Sequence, residues 1–233
     1  MLDLVYKDII QGRRTILWYL VTGTILGLVM MVGVTNVGSI LATMMLFSVY
    51  GYAVRSTYDE DKNGALLFLK GLPLSDTAIV CSKYLSTLVV AVFLGVFFQG
   101  LAALSEGVIA PGLGLGPAAK ACVDTGTLLR NSLGNAAIAF GVTMVMLSIY
   151  LTMFFCMGYA RAAAYNRFVM LGLFAFVFAA ASVVQRLSPE PPGWVIALGQ
   201  SPWTPLLAAA VGLGIYALGC VASVMRVHTK DWT

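Results

Sequence analysis

The sequence predicts an all-α integral membrane protein with six transmembrane helices, and three observations predict it. Of the 233 residues, 60% are hydrophobic and 10% are charged, against roughly 45–50% and about 25% in a soluble domain. Burying that much apolar surface in a water-soluble core of this size would leave too little polar surface to cover it. Six apolar stretches approach the roughly 20 residues that a spanning helix needs: 15–34, 37–54, 84–104, 136–158, 168–184 and 205–225. None contains Asp, Glu, Lys, Arg or His. Finally, eleven of the 14 Lys and Arg residues fall before the first span, in alternate connections and in the tail; the other connections hold only Lys120, Arg130 and Arg186. This bias places both termini in the cytoplasm, and an odd number of spans would break the alternation. The whole of residues 1–233 reads as one transmembrane domain.

Residues 1–14 carry Leu2, Val5, Tyr6, Ile9 and Ile10 at i, i+3, i+4, i+7, i+8 spacing, with Asp3, Lys7, Asp8, Gln11 and Arg14 opposite. That pattern predicts an interfacial amphipathic helix on the inner leaflet, in contact with membrane lipid. The first span has too long an apolar run and no small-x-small site after it, so it reads as a retained helix rather than a cleaved signal. Only Thr35 and Asn36 separate it from the second span, which predicts a tight helical hairpin.

The outer connection 105–135 contains APGLGLGP, which predicts an irregular first half, with a short helix over 121–133. The connection 185–204 is bounded by prolines and carries Trp194 and Trp203, which suit a membrane–water boundary. Gly23 and Gly27 form a GxxxG spacing in the first span, read as close helix packing within the chain. Cys81, Cys122, Cys156 and Cys220 have no CxxC spacing, with Cys81 placed in a loop, and read as small packing residues.

Spans without an ionisable residue argue against an ion-coupled transporter, which usually needs buried carboxylates, His or Lys along its path. The sole histidine, His228, lies near the end of the chain, and neither HExxH, a nucleophile elbow nor GxxxxGK[ST] is present. The chain is therefore expected to be no enzyme, with no catalytic residue, metal site or bound cofactor. The net charge of +4 and the absence of a Lys/Arg-rich run argue against a nucleic-acid partner.

The inner connection 55–83 is the informative segment. It reads as a polar turn with Asp59, Glu60 and Asp61, a short apolar helix from Ala65 to Leu69, and a break at Gly71-Leu72-Pro73. A helix then starts at Ser75-Asp76, with acceptable N-cap chemistry. Ile79 and Val80 are expected to be exposed on it as docking knobs, with Lys83 snorkelling at the inner boundary.

Glu60, Leu72-Pro73, Ser75, Ile79-Val80 and Lys83-Tyr84-Leu85 together resemble the ABC type-2 transporter permeases, as do the amphipathic start, the six spans and the length. Asp76-Thr77 stands where family members often carry a basic residue. The resemblance implies the membrane-spanning subunit of a small exporter, paired with a second permease chain, identical or not. It further implies a separate ABC ATPase subunit that binds ATP and Mg and closes on it. A coupling helix would pass that movement to the spans, here Leu74, Ser75, Asp76, Thr77, Ala78, Ile79 and Val80, with Asp59 and Glu60 orienting the loop. The cargo implied is hydrophobic or amphipathic: a peptide, lipid or drug. The rival expectations are a channel or secondary transporter working without an ATPase, and a non-transporting subunit of a membrane complex.

Overall fold

The computed structural model describes residues 2–30, 37–64, 74–105, 125–169, 171–172, 201 and 203–228. Those residues form helices and no strand. In chain order they are α1 (Leu2–Met30), α2 (Val37–Lys62), α3 (Asp76–Leu104), α4 (Thr125–Met157), α5 (159–169) and α6 (Thr204–His228). Segments Asp76–Leu104, Leu133–Met157 and Thr204–Val227 are long and apolar enough to cross a membrane, with mean hydropathies of 2.3, 2.1 and 2.0. The expected second span lies within α2 and residues 15–30 of the expected first within α1; residues 31–36, with the expected hairpin at Thr35-Asn36, and most of the expected fifth, 168–184, lie outside the described residues.

Several helices run further than their apolar stretches. α1 is uninterrupted from Leu2, so the expected interfacial segment continues directly into the first span. α2 continues through the polar residues 55–62, where an Arg55–Asp59 pair at i,i+4 supports it and where Thr57 and Glu60 are buried. The described part of α4 runs from Thr125 and takes in residues 125–133 of the short helix expected over 121–133, whose first four residues lie outside the described ones; no proline interrupts the chain between 125 and 157. α4 ends where Gly158 takes a φ of 81°, a left-handed conformation that costs glycine little. α5 follows immediately, where a polar connection was expected.

The core lies where α2, α3 and α4 meet: Leu41, Met45 and Val49 against Leu94 and Phe98, with Met144, Leu147 and Leu151 closing it. Outside it, Leu17, Trp18, Val21, Ile25, Val92, Phe93, Val96, Leu206, Leu207, Val211 and Leu218 are exposed. A soluble monomer rarely exposes a contiguous apolar patch beyond a few hundred Å², and lipid is the solvent that suits this perimeter. The chain is a helical membrane protein.

Hydroxyl groups bind the helices across this apolar interior. Tyr216 donates to the Tyr84 carbonyl at 2.8 Å, Tyr84 shares a hydrogen bond with Ser223 at 2.9 Å, and Ser148 donates to the Ile215 carbonyl at 3.0 Å. Thr57 and Tyr150 are joined at 2.5 Å, tying α2 to α4. Such bonds average about 0.6 kcal/mol each within membranes, so close packing must carry more of the association. The most extensive helix–helix contact is α4 with α6. There the backbones touch: a Cβ on Gly141 would overlap the Ala208 carbonyl, and one on Gly212 would overlap Gly141.

Gly141→Ala should therefore cost about 1–3 kcal/mol by overpacking. Gly214, with nothing within 4 Å of its Cβ position, should gain up to about 1 kcal/mol as Ala from helix propensity. Thermal unfolding of both variants in mild detergent checks this; equal effects would contradict the backbone contact.

Candidate functional site at the charged end of the bundle

One face of α1 is a continuous stripe. Val5, Asp8, Ile16 and Gly23 are buried, and Gly12 and Tyr19 lie half-buried between them at helical spacing. Gly12 leaves room for the Tyr52 ring of α2, and Tyr52 donates to the Asp8 backbone carbonyl at 3.4 Å. Gly23 similarly accommodates Phe98 of α3, so it serves packing within the chain; the surroundings of Gly27 lie outside those described. The stripe carries the Asp8 carboxylate under the start of α3.

α3 begins with Ser75 as N-cap, its backbone extended and its hydroxyl accepting from the Ala78 N–H at 3.2 Å, as the sequence predicts. Two turns later stands Lys83, 3% exposed. Its Nζ lies 2.9 Å from Glu60 Oε1, 3.5 Å from Asp8 Oδ2, and 2.6 Å from Ser56 Oγ, to which it donates. Ser86 adds a hydrogen bond to Asp8 Oδ2 at 3.3 Å. Asp8 and Glu60 are 5% and 4% exposed, and Lys7 approaches Asp8 at 3.8 Å from the solvent side. A cavity of about 10 Å³ lies among these groups, bounded also by Leu4, Ile79, Ser82 and Phe155, near the lower limit for one water. The expected snorkelling of Lys83 is thus overturned: two buried carboxylates draw it inward.

Burial pushes the Glu60 carboxyl above its ordinary range, with Lys83 opposing the shift and Asp8 reinforcing it. The folded chain therefore holds this proton to higher pH than the unfolded chain. The carboxyl's contribution to stability falls as pH rises from the ordinary carboxylate range into the raised one. Charges buried in this way fix geometry more than they add stability, because desolvation offsets much of their attraction.

Three helices are thus joined at one charged cluster, α1 through Asp8, α2 through Glu60 and α3 through Lys83.

Ile79 and Val80, expected as exposed knobs, are buried at 7% and 0%. They point to the bundle because they share a helix face with Lys83. Ser75 and Thr77 form the exposed surface of this turn, with Leu74, Asp76 and Ala78 half-buried. Asp59 faces Arg55 at 3.3 Å, whereas Glu60 reaches Lys83 and so joins the two ends of the 55–83 connection. Ala65–Leu69 and Gly71-Leu72-Pro73 lie outside the described residues.

Residues 3–225 match the family model for the ABC-2 family transporter protein. The chain belongs to the ABC-2 transporter permease family. No curated protein and no solved structure matches it. The ABC-2 permease is a membrane transport component, of a kind that in general associates with an ABC ATPase. Glu60 and Lys83, two separate elements of the motif that carried the resemblance, are bonded to each other in this ABC-2 permease. Sequence reading placed Asp8 on the solvent face and so missed its part. The available signal was the small and apolar spacing Val5, Gly12, Ile16, Gly23, which puts Asp8 on the packed face. Cys81, expected in a loop, lies on α3 with its Sγ 3.8 Å from that of Cys220 on α6.

Lys83→Met should destabilise the permease by about 3–5 kcal/mol, because two carboxylates remain buried without their cation. Glu60→Gln should cost less, and its stability relative to wild type should improve as pH rises above the ordinary carboxylate range. Detergent unfolding across that pH interval checks both. A Lys83→Met loss no greater than that of Glu60→Gln would contradict the arrangement.

Proposed function

We propose that this permease is the membrane-spanning subunit of an ABC exporter, driven by a separate ATPase subunit that docks on the turn at Leu74–Ala78. One observation supports the reading above others: Lys83 bonds Asp8 of α1 and Glu60 of α2 from its place on α3. A displacement applied to the first turn of α3 therefore reaches three helices together. Ser75 and Thr77 offer the exposed polar surface for contact, and Ile79 and Val80 transmit by packing inward rather than by touching the partner. Asp59 and Glu60 hold the end of α2 against that movement.

In this reading six spans cross the membrane with both termini cytoplasmic, and the Asp8–Glu60–Lys83 plane marks the inner boundary. Two permease chains, identical or different, enclose the path. ATP and Mg bind to the partner ATPase. The uncharged apolar surfaces suit a hydrophobic or amphipathic cargo: a peptide, lipid or drug.

Thr77→Arg tests the docking surface without disturbing the core. The permease should remain folded and monodisperse while the co-purifying ATPase is lost, or its hydrolysis falls roughly tenfold, the effect of removing about 1.4 kcal/mol of interaction. Ile79→Asp is a poor probe, since a buried carboxylate would unfold the helix start. Unchanged ATPase recovery and hydrolysis with Thr77→Arg would exclude this turn as the coupling surface.

A further inference from the structure

Beside the charged plane, α1, α2 and α5 enclose an open cavity of about 430 Å³ whose lining includes Tyr19, Tyr50, Arg55, Tyr58 and Tyr159. Four tyrosines and one arginine converge on this cavity. Arg55 lies five residues before Glu60, so it stands about 7.5 Å along α2 from the charged plane. The exposed Arg13 and Arg14 of α1 lie at a comparable depth, five and six residues beyond Asp8. Arg13, Arg14 and Arg55 thus lie within about two helical turns of the charged plane.

The donors are arranged for an anion. Asp59 engages the Nε of Arg55 at 3.3 Å; among the described residues no ion pair engages the two terminal nitrogens, whose fork matches phosphate oxygens. Tyr58 lies under the guanidinium at 5.4 Å and packs against Tyr159 with tilted rings, centroids 5.3 Å apart, so the fork is held by a ring on one side. Tyr50 accepts a hydrogen bond from Asn166, which leaves its own hydroxyl proton to donate. The Tyr19 hydroxyl rests on the bare backbone of Gly51, where any Cβ would displace it. Among the described residues no carboxylate lines this cavity; Asp59 meets Arg55 from outside the lining.

We propose that this cavity binds the phosphate of an anionic lipid headgroup, with Arg55 as the charged ligand and the tyrosines as neutral donors. The same chemistry would take a soluble phosphate ester, and experiment separates the two. The proposal is independent of the transport reading.

The test is native mass spectrometry of the full chain in mild detergent, titrated separately with dioleoylphosphatidylglycerol, dioleoylglycerol and glycerol 3-phosphate. The expected result is retained phosphatidylglycerol, no retained dioleoylglycerol, and a roughly tenfold or greater weakening in Arg55→Gln, the scale of one charged hydrogen bond. Arg14→Gln, at the same depth but outside the cavity, should change affinity less than twofold. Arg55→Lys should recover only part of the loss, because it keeps the charge without the fork. Glycerol 3-phosphate binding with the same Arg55 dependence would support the phosphate site and reassign its source to solution. Equal losses in Arg14→Gln and Arg55→Gln would overturn the proposal, as would dioleoylglycerol binding as tightly as phosphatidylglycerol.

Discussion

A single buried ammonium organises the charged end of this permease. Lys83 lies between Asp8 and Glu60, and the three groups belong to three different helices. An ionised side chain at this level of a membrane protein is costly unless it is paired. Each partner therefore constrains the others: α1 must present Asp8, α2 must remain helical past its apolar stretch to bring Glu60, and α3 must turn the face of Ile79, Val80 and Lys83 inward.

Away from that plane the bundle is held differently. α4 and α6 meet through glycine-to-backbone contact and hydroxyl-to-carbonyl hydrogen bonds, with no ion pair among the described residues of that seam. In lipid, apolar side chains gain little by leaving their surroundings for each other, so close approach and polar contacts hold helices together. The two modes divide the molecule: ionic linkage at one boundary, tight backbone packing within.

Much of this was legible in the sequence. Apolar stretches of spanning length, the N-cap at Ser75, and the family carried by Glu60, Leu72-Pro73 and Lys83-Tyr84-Leu85 required only local pattern. Asp8, Lys83, Ile79 and Val80 were misread for a shared reason. The sequence shows which residues are charged or apolar, but the pairing of distant helices decides which face turns inward. A lysine at a span boundary usually snorkels; here two carboxylates, 75 and 23 residues away in the chain, reverse its direction. The extension of α2 beyond its apolar stretch had the same origin, since buried Thr57 and Glu60 stabilise turns that hydropathy leaves unassigned. The cavity of Tyr19, Tyr50, Arg55, Tyr58 and Tyr159 joins residues from three helices and has no local signature.

The central claim is that force enters this permease at the turn preceding Lys83. The most direct measurement places a photo-reactive amino acid at Thr77, and separately at the exposed apolar Leu206, in the protein expressed in its own cells. The account predicts a cross-link from position 77 to a nucleotide-binding protein, with a yield that changes when ATP and vanadate are added, and only lipid adducts from position 206. Lipid adducts alone from both positions would contradict it.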